Sequence, residues 1–445
     1  MLRYIDRLIL FETIRNDGIA ERIAGLISSG DSASPEQSET KAREAYYPTV
    51  RALLKNIGDG GISGNVLQDH FCGVIASEEN AFARLAEKGI FERLNPGATD
   101  AELRSALSET NLAVLLLAAS EIERIAPVYN FTFSTISGGE DSPDIAALPA
   151  TETGEGKSGL ELIHIAIMQK NSTDAAIMLA RYYRGYGSGV FGKSPALSAE
   201  KDGLVPVLHA DRTTMGDIIG CDRQKRILMD NIEILLAGFR SNNVLLYGDS
   251  GTGKSSTVKA LLNMYAPRGL KLISITKENF GLLPGVFAQI ANRGMKFIIF
   301  IDDLSFDENE HEYKVFKSIV EGRIAPRPTN AIFIVTTNRK NIVKDVWSDR
   351  EGGDDVRIRD NMEEKRSLSD RFGVTLTYPA PTKQEYLEIV RGIAAGAGLS
   401  MPDGQLAAEA LKWEIRHGGR SGRTARQFVD YMVGIRAIDS GGIEE

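Results

Sequence analysis

The 445-residue chain is long enough for two or three domains with at least one substantial core. Its net charge of -8 excludes a protein that coats nucleic acid or anionic membrane over its whole surface, while leaving room for a local basic patch. Cys72 and Cys221 stand far apart without metal-ligand spacing, which fits two reduced, mostly buried thiols in a cytosolic protein and suggests no zinc site.

The opening MLRYIDRLILFETIRND interleaves charges with apolar residues, unlike a signal peptide. The longest apolar run elsewhere, Leu112 to Ala119, is far too short to cross a bilayer. A cytoplasmic protein without membrane contact is expected. Apolar residues recur at helix spacing from Leu2 to about Pro127, including a face of Val50, Leu53, Leu54 and Ile57. Helices are predicted over 66–87 and 99–125, the second opened by a Thr99/Glu102 capping box. This predicts an all-helical N-terminal domain over 1–133. Residues 134–159 are acidic and dense in Gly, Ser, Thr and Pro, which reads as an exposed linker. Helical pattern returns at Leu160, so 160–214 is expected to be a helical connector. Within it, RYYRGYGSGVFGKS (Arg181 to Ser194) reads as a loop with partly buried tyrosines, or alternatively as a nucleic-acid or phosphate contact.

From Met215 the pattern alternates between helix and strand, the sign of a parallel sheet covered on both faces. Strands are predicted at 244–247, 270–275, 297–301, 331–336 and 374–378, with a helical layer after Pro381. The first strand runs into Gly248, Asp249, Ser250, Gly251, Thr252, Gly253, Lys254 and Ser255, followed by Ser256 in a helix. This is the G-x-x-x-x-G-K-[ST] pattern in its proper strand-to-helix setting. The glycines allow successive N–H groups to point inward at a polyphosphate, and the helix N-terminus adds its dipole. Lys254 would reach the β- and γ-phosphates, and the Ser255 hydroxyl would ligate Mg2+.

The apolar strand at 297–301 ends in Asp302 and Asp303, at the sheet edge where parallel sheets bind ligands. Mg2+ takes hard oxygen ligands, which suits Asp302, and Asp303 can then polarise an attacking water. Asn338, at the end of the 331–336 strand, could hold that water or a phosphate oxygen. Later guanidinium groups, Arg371 in LSDRFG and Arg423 and Arg426 in GRSGRTARQF, suit a γ-phosphate because each is planar, charged and able to bond two oxygens.

Taken in order, GDSGTGKSS, FIIFIDDLSF, VTTNRK, SLSDRFG and GRTARQF resemble the Walker A, Walker B, sensor 1, arginine-finger and sensor 2 elements of AAA+ ATPases. The closest resemblance is to a family of AAA-type ATP-binding proteins known only as a domain of unknown function. Its members share NVLLYGDxGTGKSSxVKALLN, DDLSF and EKxSLSDRFG. The resemblance covers roughly Met215 to Arg436. It implies a P-loop NTPase αβα sandwich with a parallel sheet over 215–380 and a helical lid over 381–445, with ATP and Mg2+ as ligands. It also implies that Ile218, Ile219 and Gly220 lie against the adenine and that Arg426, or alternatively Arg423, contacts the nucleotide from the lid. Arg371 would reach a neighbouring subunit's site, which requires a ring or helical homo-oligomer, commonly of six subunits. Asp303 stands where many AAA+ ATPases carry glutamate, which puts the hydrolysis rate in question. Phe280 and Gly281 fall where translocating rings carry a pore loop, although Phe280 is equally suited to packing under the next helix.

The expected function is an AAA+ ATPase that remodels or loads an unknown partner through the N-terminal domain. The alternative is a slow nucleotide-gated switch or loader on DNA or a protein complex. A small-molecule phosphotransferase is disfavoured because no acceptor pocket is evident. A nucleic-acid partner is open but unsupported by the charge pattern.

Overall fold

The computed structural model describes residues 4–30, 44, 48–49, 51–53, 65–131, 158–207, 211, 213–306, 311–322, 326–338 and 371–439. The linker expected at 134–159 lies outside these up to residue 157, as do Val50, Leu54 and Ile57. The chain divides into two compact units: Met1–Pro195 with Pro267–Gly269 and Arg293–Met295, and the remainder from Ala196.

The main helices of the first unit are α1 (Gly18–Gly30), α2 (Val66–Ala76), α3 (Ala81–Glu87), α4 (Asp100–Ala106), α5 (Glu109–Tyr129), α6 (Ser158–Ile167) and α7 (Ser172–Tyr186). The apolar spacing predicts two long helices over 66–87 and 99–125, but the chain makes four. Asn80 and Ser108 each start a new helix by accepting a backbone N–H three residues on, from Ala83 at 2.9 Å and Asn111 at 3.3 Å. The Thr99/Glu102 capping box is formed. Buried Glu121 on α5 ties down the N-terminal strand of chain, accepting backbone N–H groups of Ile9, Leu10 and Phe11 at 2.9–3.2 Å. That carboxylate satisfies donors that would otherwise be costly to bury.

Strands β1 (Ala196–Glu200) and β2 (Gly203–Pro206) open the second unit. They correct the expected helical connector over 160–214, since β1 pairs antiparallel with β2 and parallel with β4 (Leu270–Ser274). The overlooked signal is Asp202-Gly203: the chain turns through Lys201-Asp202, and Gly203 opens β2 opposite Glu200 with φ +121. The other strands are β3 (Val244–Gly248), β5 (Lys296–Ile301), β6 (Ala331–Thr337) and β7 (Val374–Tyr378), in the sheet order β2-β1-β4-β5-β6-β3-β7. From β1 onward, neighbours pair in parallel. Every residue of β6 is buried, as is β5 from Phe297 onward, because helices cover both faces. Those flanking or following the strands are α8 (Asp222–Leu236), α9 (Lys254–Tyr265), α10 (Leu283–Ile290) and α11 (His311–Val320). The chain ends in α12 (Lys383–Gly396), α13 (Asp403–Arg416) and α14 (Gly422–Asp439), whose own core includes Tyr386, Val390, Leu406, Phe428 and Val429. This is a P-loop αβα sandwich followed by a helical lid. Among the described residues, no helix is long and apolar enough to cross a membrane.

The core sets two measurable expectations. Ile299 is fully buried in β5, so Ile299→Ala should destabilise the second unit by roughly 2–5 kcal/mol in urea denaturation. Burial pushes the Cys72 thiol up to about 12, against the opposing effect of its hydrogen bond with Tyr129. The thiolate, which is the reactive form, is therefore scarce at pH 8. Iodoacetamide at pH 8 should spare Cys72 until denaturant is added; mass-spectrometric labelling of the native chain at a free-thiol rate would contradict this.

Candidate active site

The sheet order brings three strand ends to one edge. Strand β6 lies between β3 and β5, with Leu246 level with Thr336 and Ile301 level with Val335. The loop after β3, the acidic turn after β5 and Asn338 after β6 therefore meet. The Ser255 hydroxyl donates to Asp302 Oδ1 at 2.5 Å, and the Thr336 hydroxyl donates to the same oxygen at 2.6 Å. Lys254 Nζ donates to the Gly248 and Asp249 carbonyls, each at 2.7 Å, and to Asn338 Oδ1 at 3.0 Å. Asn338 in turn donates from Nδ2 to Asp303 Oδ1 at 2.6 Å. Burial lowers the Lys254 ammonium below its ordinary pKa against the opposing pull of Asp303, Asp249 and Asp302, while Arg423 acts in the same direction as burial.

Lys254, Ser255, Asp302, Asp303, Thr336 and Asn338 line a cavity of about 880 Å3. Ser250, Gly251, Thr252, Gly253 and Ser256 line it from the loop, and Ile218, Ile219 and Gly220 from the segment before α8. Ile218 approaches the loop, since a Cβ on Gly253 would lie 3.7 Å from Ile218 Cγ2. Ile219 faces the lid, where a Cβ on Gly392 would come within 2.0 Å of its Cδ1. Both lid arginines also line the cavity. The Arg423 backbone N–H donates to the Gly251 carbonyl at 3.4 Å, beside the loop. The Arg426 charge acts on Asp217, whose carboxyl is held below its usual range chiefly by the backbone N–H and hydroxyl of Thr214.

Backbone conformation fixes the loop. Gly248 has φ +145, and a Cβ there would fall 1.9 Å from the Tyr378 carbonyl oxygen, so no other residue fits without moving β7. One residue on, Asp249 Oδ2 accepts the Ala380 N–H at 3.1 Å and pins the loop to the start of the lid. The composition of the site suits a magnesium triphosphate. Helix α9 begins at Gly253 with no side chain bonded over its N-terminus, leaving the positive end of its dipole to the cavity. Ser255 and Asp302 offer the hard oxygens that Mg2+ takes, and Lys254 brings a cation to the same place.

Arg371 is not among the cavity-lining residues. Its side chain is 53% exposed and lies 3.6 Å from Glu321. Phe280 is buried and stacks on Phe316 with centroids 4.8 Å apart, so packing replaces the pore-loop alternative. Arg181 to Tyr186 continue α7 and are not a loop. Arg181 bonds Asn95 Oδ1, Arg184 bonds the Glu87 carbonyl, and the Tyr183 hydroxyl bonds the Ile75 carbonyl, which accounts for that cluster as packing within the first unit. Thr336 is a site group that the sequence pattern does not single out, and a threonine inside an apolar strand, AIFIVT, is the signal that could have found it.

A family model described as a protein of unknown function (DUF815) matches residues 194–436, more than half of the chain. The chain belongs to the DUF815 family. No curated protein matches this DUF815 chain. Among solved structures it is similar to a point variant of Thermotoga maritima RuvB, at 18% identity and a TM-score of 0.34, covering 49% of this chain and 64% of that one. The chain thus spans just under two thirds of that neighbour. A structure titled as the Thermotoga maritima RuvB Holliday junction branch migration motor gives 16% identity and a TM-score of 0.31, covering 52% and 75% of the two chains.

The loop geometry predicts that Gly248→Ala loses roughly 2–4 kcal/mol in urea denaturation, because a side chain must displace the β7 backbone. A cost under about 0.5 kcal/mol, the range of an ordinary surface change, would mean that the contact is relieved elsewhere.

Proposed function

We propose that this DUF815 protein is an AAA+ ATPase that binds Mg-ATP between its α/β domain and lid. Hydrolysis would drive remodelling or loading of a protein partner held by the N-terminal helical domain. The observation that carries this reading is the convergence of Lys254, Ser255, Asp302, Asp303, Asn338 and Arg423 on one cavity. Lys254 would meet the β- and γ-phosphates, and Ser255 and Asp302 would hold Mg2+, which when bound spreads the negative charge of the phosphoryl oxygens. Asp303 would take the proton of the attacking water, and Asn338 would orient that water. Ile218, Ile219 and Gly220 supply the wall suited to the base. Between the two lid arginines, the contact with Gly251 favours Arg423 over Arg426 for the phosphates.

Arg371 stands outside its own chain's cavity with an exposed side chain. We assign it to a neighbouring copy's site, which makes turnover depend on a homo-oligomer. The domain reading is an N-terminal helical domain, an α/β domain that starts at β1 rather than Met215, and a lid after Pro381. One observation favours the second reading, a slow nucleotide-gated switch: Asn338 already occupies Asp303 Oδ1, an oxygen the proton transfer uses.

Lys254→Ala should weaken ATP binding at least about 100-fold by calorimetry. Unchanged affinity would remove its role. Asp303→Asn should bind ATP within a few-fold of wild type yet release phosphate about 100-fold more slowly. Mixed assemblies of Arg371→Ala and Asp303→Asn chains should recover part of the lost turnover, and no recovery at any mixing ratio would sink the shared-site assignment.

A further inference from the structure

One buried residue outside the phosphate loop and the acidic pair organises both carboxylates. Thr336 is 1% exposed and lies on β6, between the strands that carry the loop and the acidic turn. Register places it one step beyond the Ile301–Val335 pair, level with Asp302. Its hydroxyl accepts the Asp303 backbone N–H at 2.8 Å and donates to Asp302 Oδ1 at 2.6 Å. Its carbonyl accepts the Leu304 N–H at 2.8 Å. The residue it grips is strained: Asp303 has φ +52, one of two described non-glycine residues with positive φ. Left-handed backbone is unfavourable in a residue with a Cβ and persists where its surroundings hold it.

We propose that Thr336 is the positioning residue of this site, a single hydroxyl that fixes the left-handed turn at Asp303 and the rotamer of Asp302 together. The inference rests on the Mg-nucleotide reading above and deepens it. A hydroxyl has one proton to give, and the Asp303 N–H takes one of its lone pairs, so its proton is committed to Asp302 Oδ1. With Ser255 donating to the same atom, Oδ1 carries both protein hydrogen bonds, which orients the carboxylate within the cavity lining. Valine has nearly the same shape but neither bond. In Thr336→Val the Asp303 N–H loses its acceptor, the turn loses its clamp, and Asp302 keeps only Ser255 as a hydroxyl partner.

The test is calorimetric titration of ADP into wild-type, Thr336→Val and Thr336→Ser chains, with EDTA and then with MgCl2, alongside Mn2+ binding followed by electron paramagnetic resonance. Expected for Thr336→Val is nucleotide affinity in EDTA within about two-fold of wild type, but a roughly five- to ten-fold smaller gain from Mg2+ and correspondingly weaker Mn2+ binding, the scale of one lost hydrogen bond. Thr336→Ser, which keeps the hydroxyl, should restore both. The proposal is overturned if Thr336→Val gains from Mg2+ as wild type does, if its affinity falls equally in EDTA, or if Thr336→Ser fails to rescue. Thr336→Ala carries the same comparison should the valine chain not fold. Wild-type ADP binding that gains nothing from Mg2+ overturns the Mg-nucleotide reading itself, a result distinct from failure at Thr336.

Discussion

The site depends on a spacing imposed by the sheet. Ser255 and Asp302 are 47 residues apart, yet they meet because β6 is inserted between the strands that deliver them. Parallel pairing fixes which residues are level, and burial on both faces holds the apolar β5 and β6 at the centre of the sheet. The rigid, fully buried centre of the sheet is thus what places polar chemistry at its rim.

The phosphate loop is held from three directions. Tyr378 fills the space beside Gly248, Ala380 bonds the Asp249 carboxylate, and the first turn of α14 meets Gly251. Two of these partners are on, or lead into, the lid. Any movement of the lid therefore alters contacts made directly by the loop. The lid is mechanically coupled to the loop without needing a bound ligand to connect them.

Much of this was legible in the sequence. The strands from β3 onward were readable to within a residue because each is a short apolar run bounded by polar or glycine-rich segments. The glycine loop, acidic pair and Asn338 stand out in the sequence because the chemistry proposed for them requires particular residue types. The hairpin β1–β2 was not, since ALSAE and GLVP are short and only partly apolar, and the helix pattern before them carried the reading forward. Helix breaks at Asn80 and Ser108 were missed because apolar spacing continues across them while a single side-chain cap decides the boundary. The bonds of Thr336 were beyond reach for a different reason: they join residues on separate strands, and no local pattern encodes that meeting. The backbone contact of Arg423 with Gly251 is likewise tertiary and has no local signature.

The turn at Asp303 also bears on why a short acid stands there. Aspartate and asparagine tolerate left-handed backbone better than most residues, because their compact polar ends can bond close to the main chain. Glutamate carries its carboxylate one methylene further out and lacks that local bonding. At this position, then, reach and backbone shape cannot be varied separately: a longer acid would gain length only by reshaping the bend that Thr336 holds. The place this carboxylate takes is in that sense a property of the neighbouring strand.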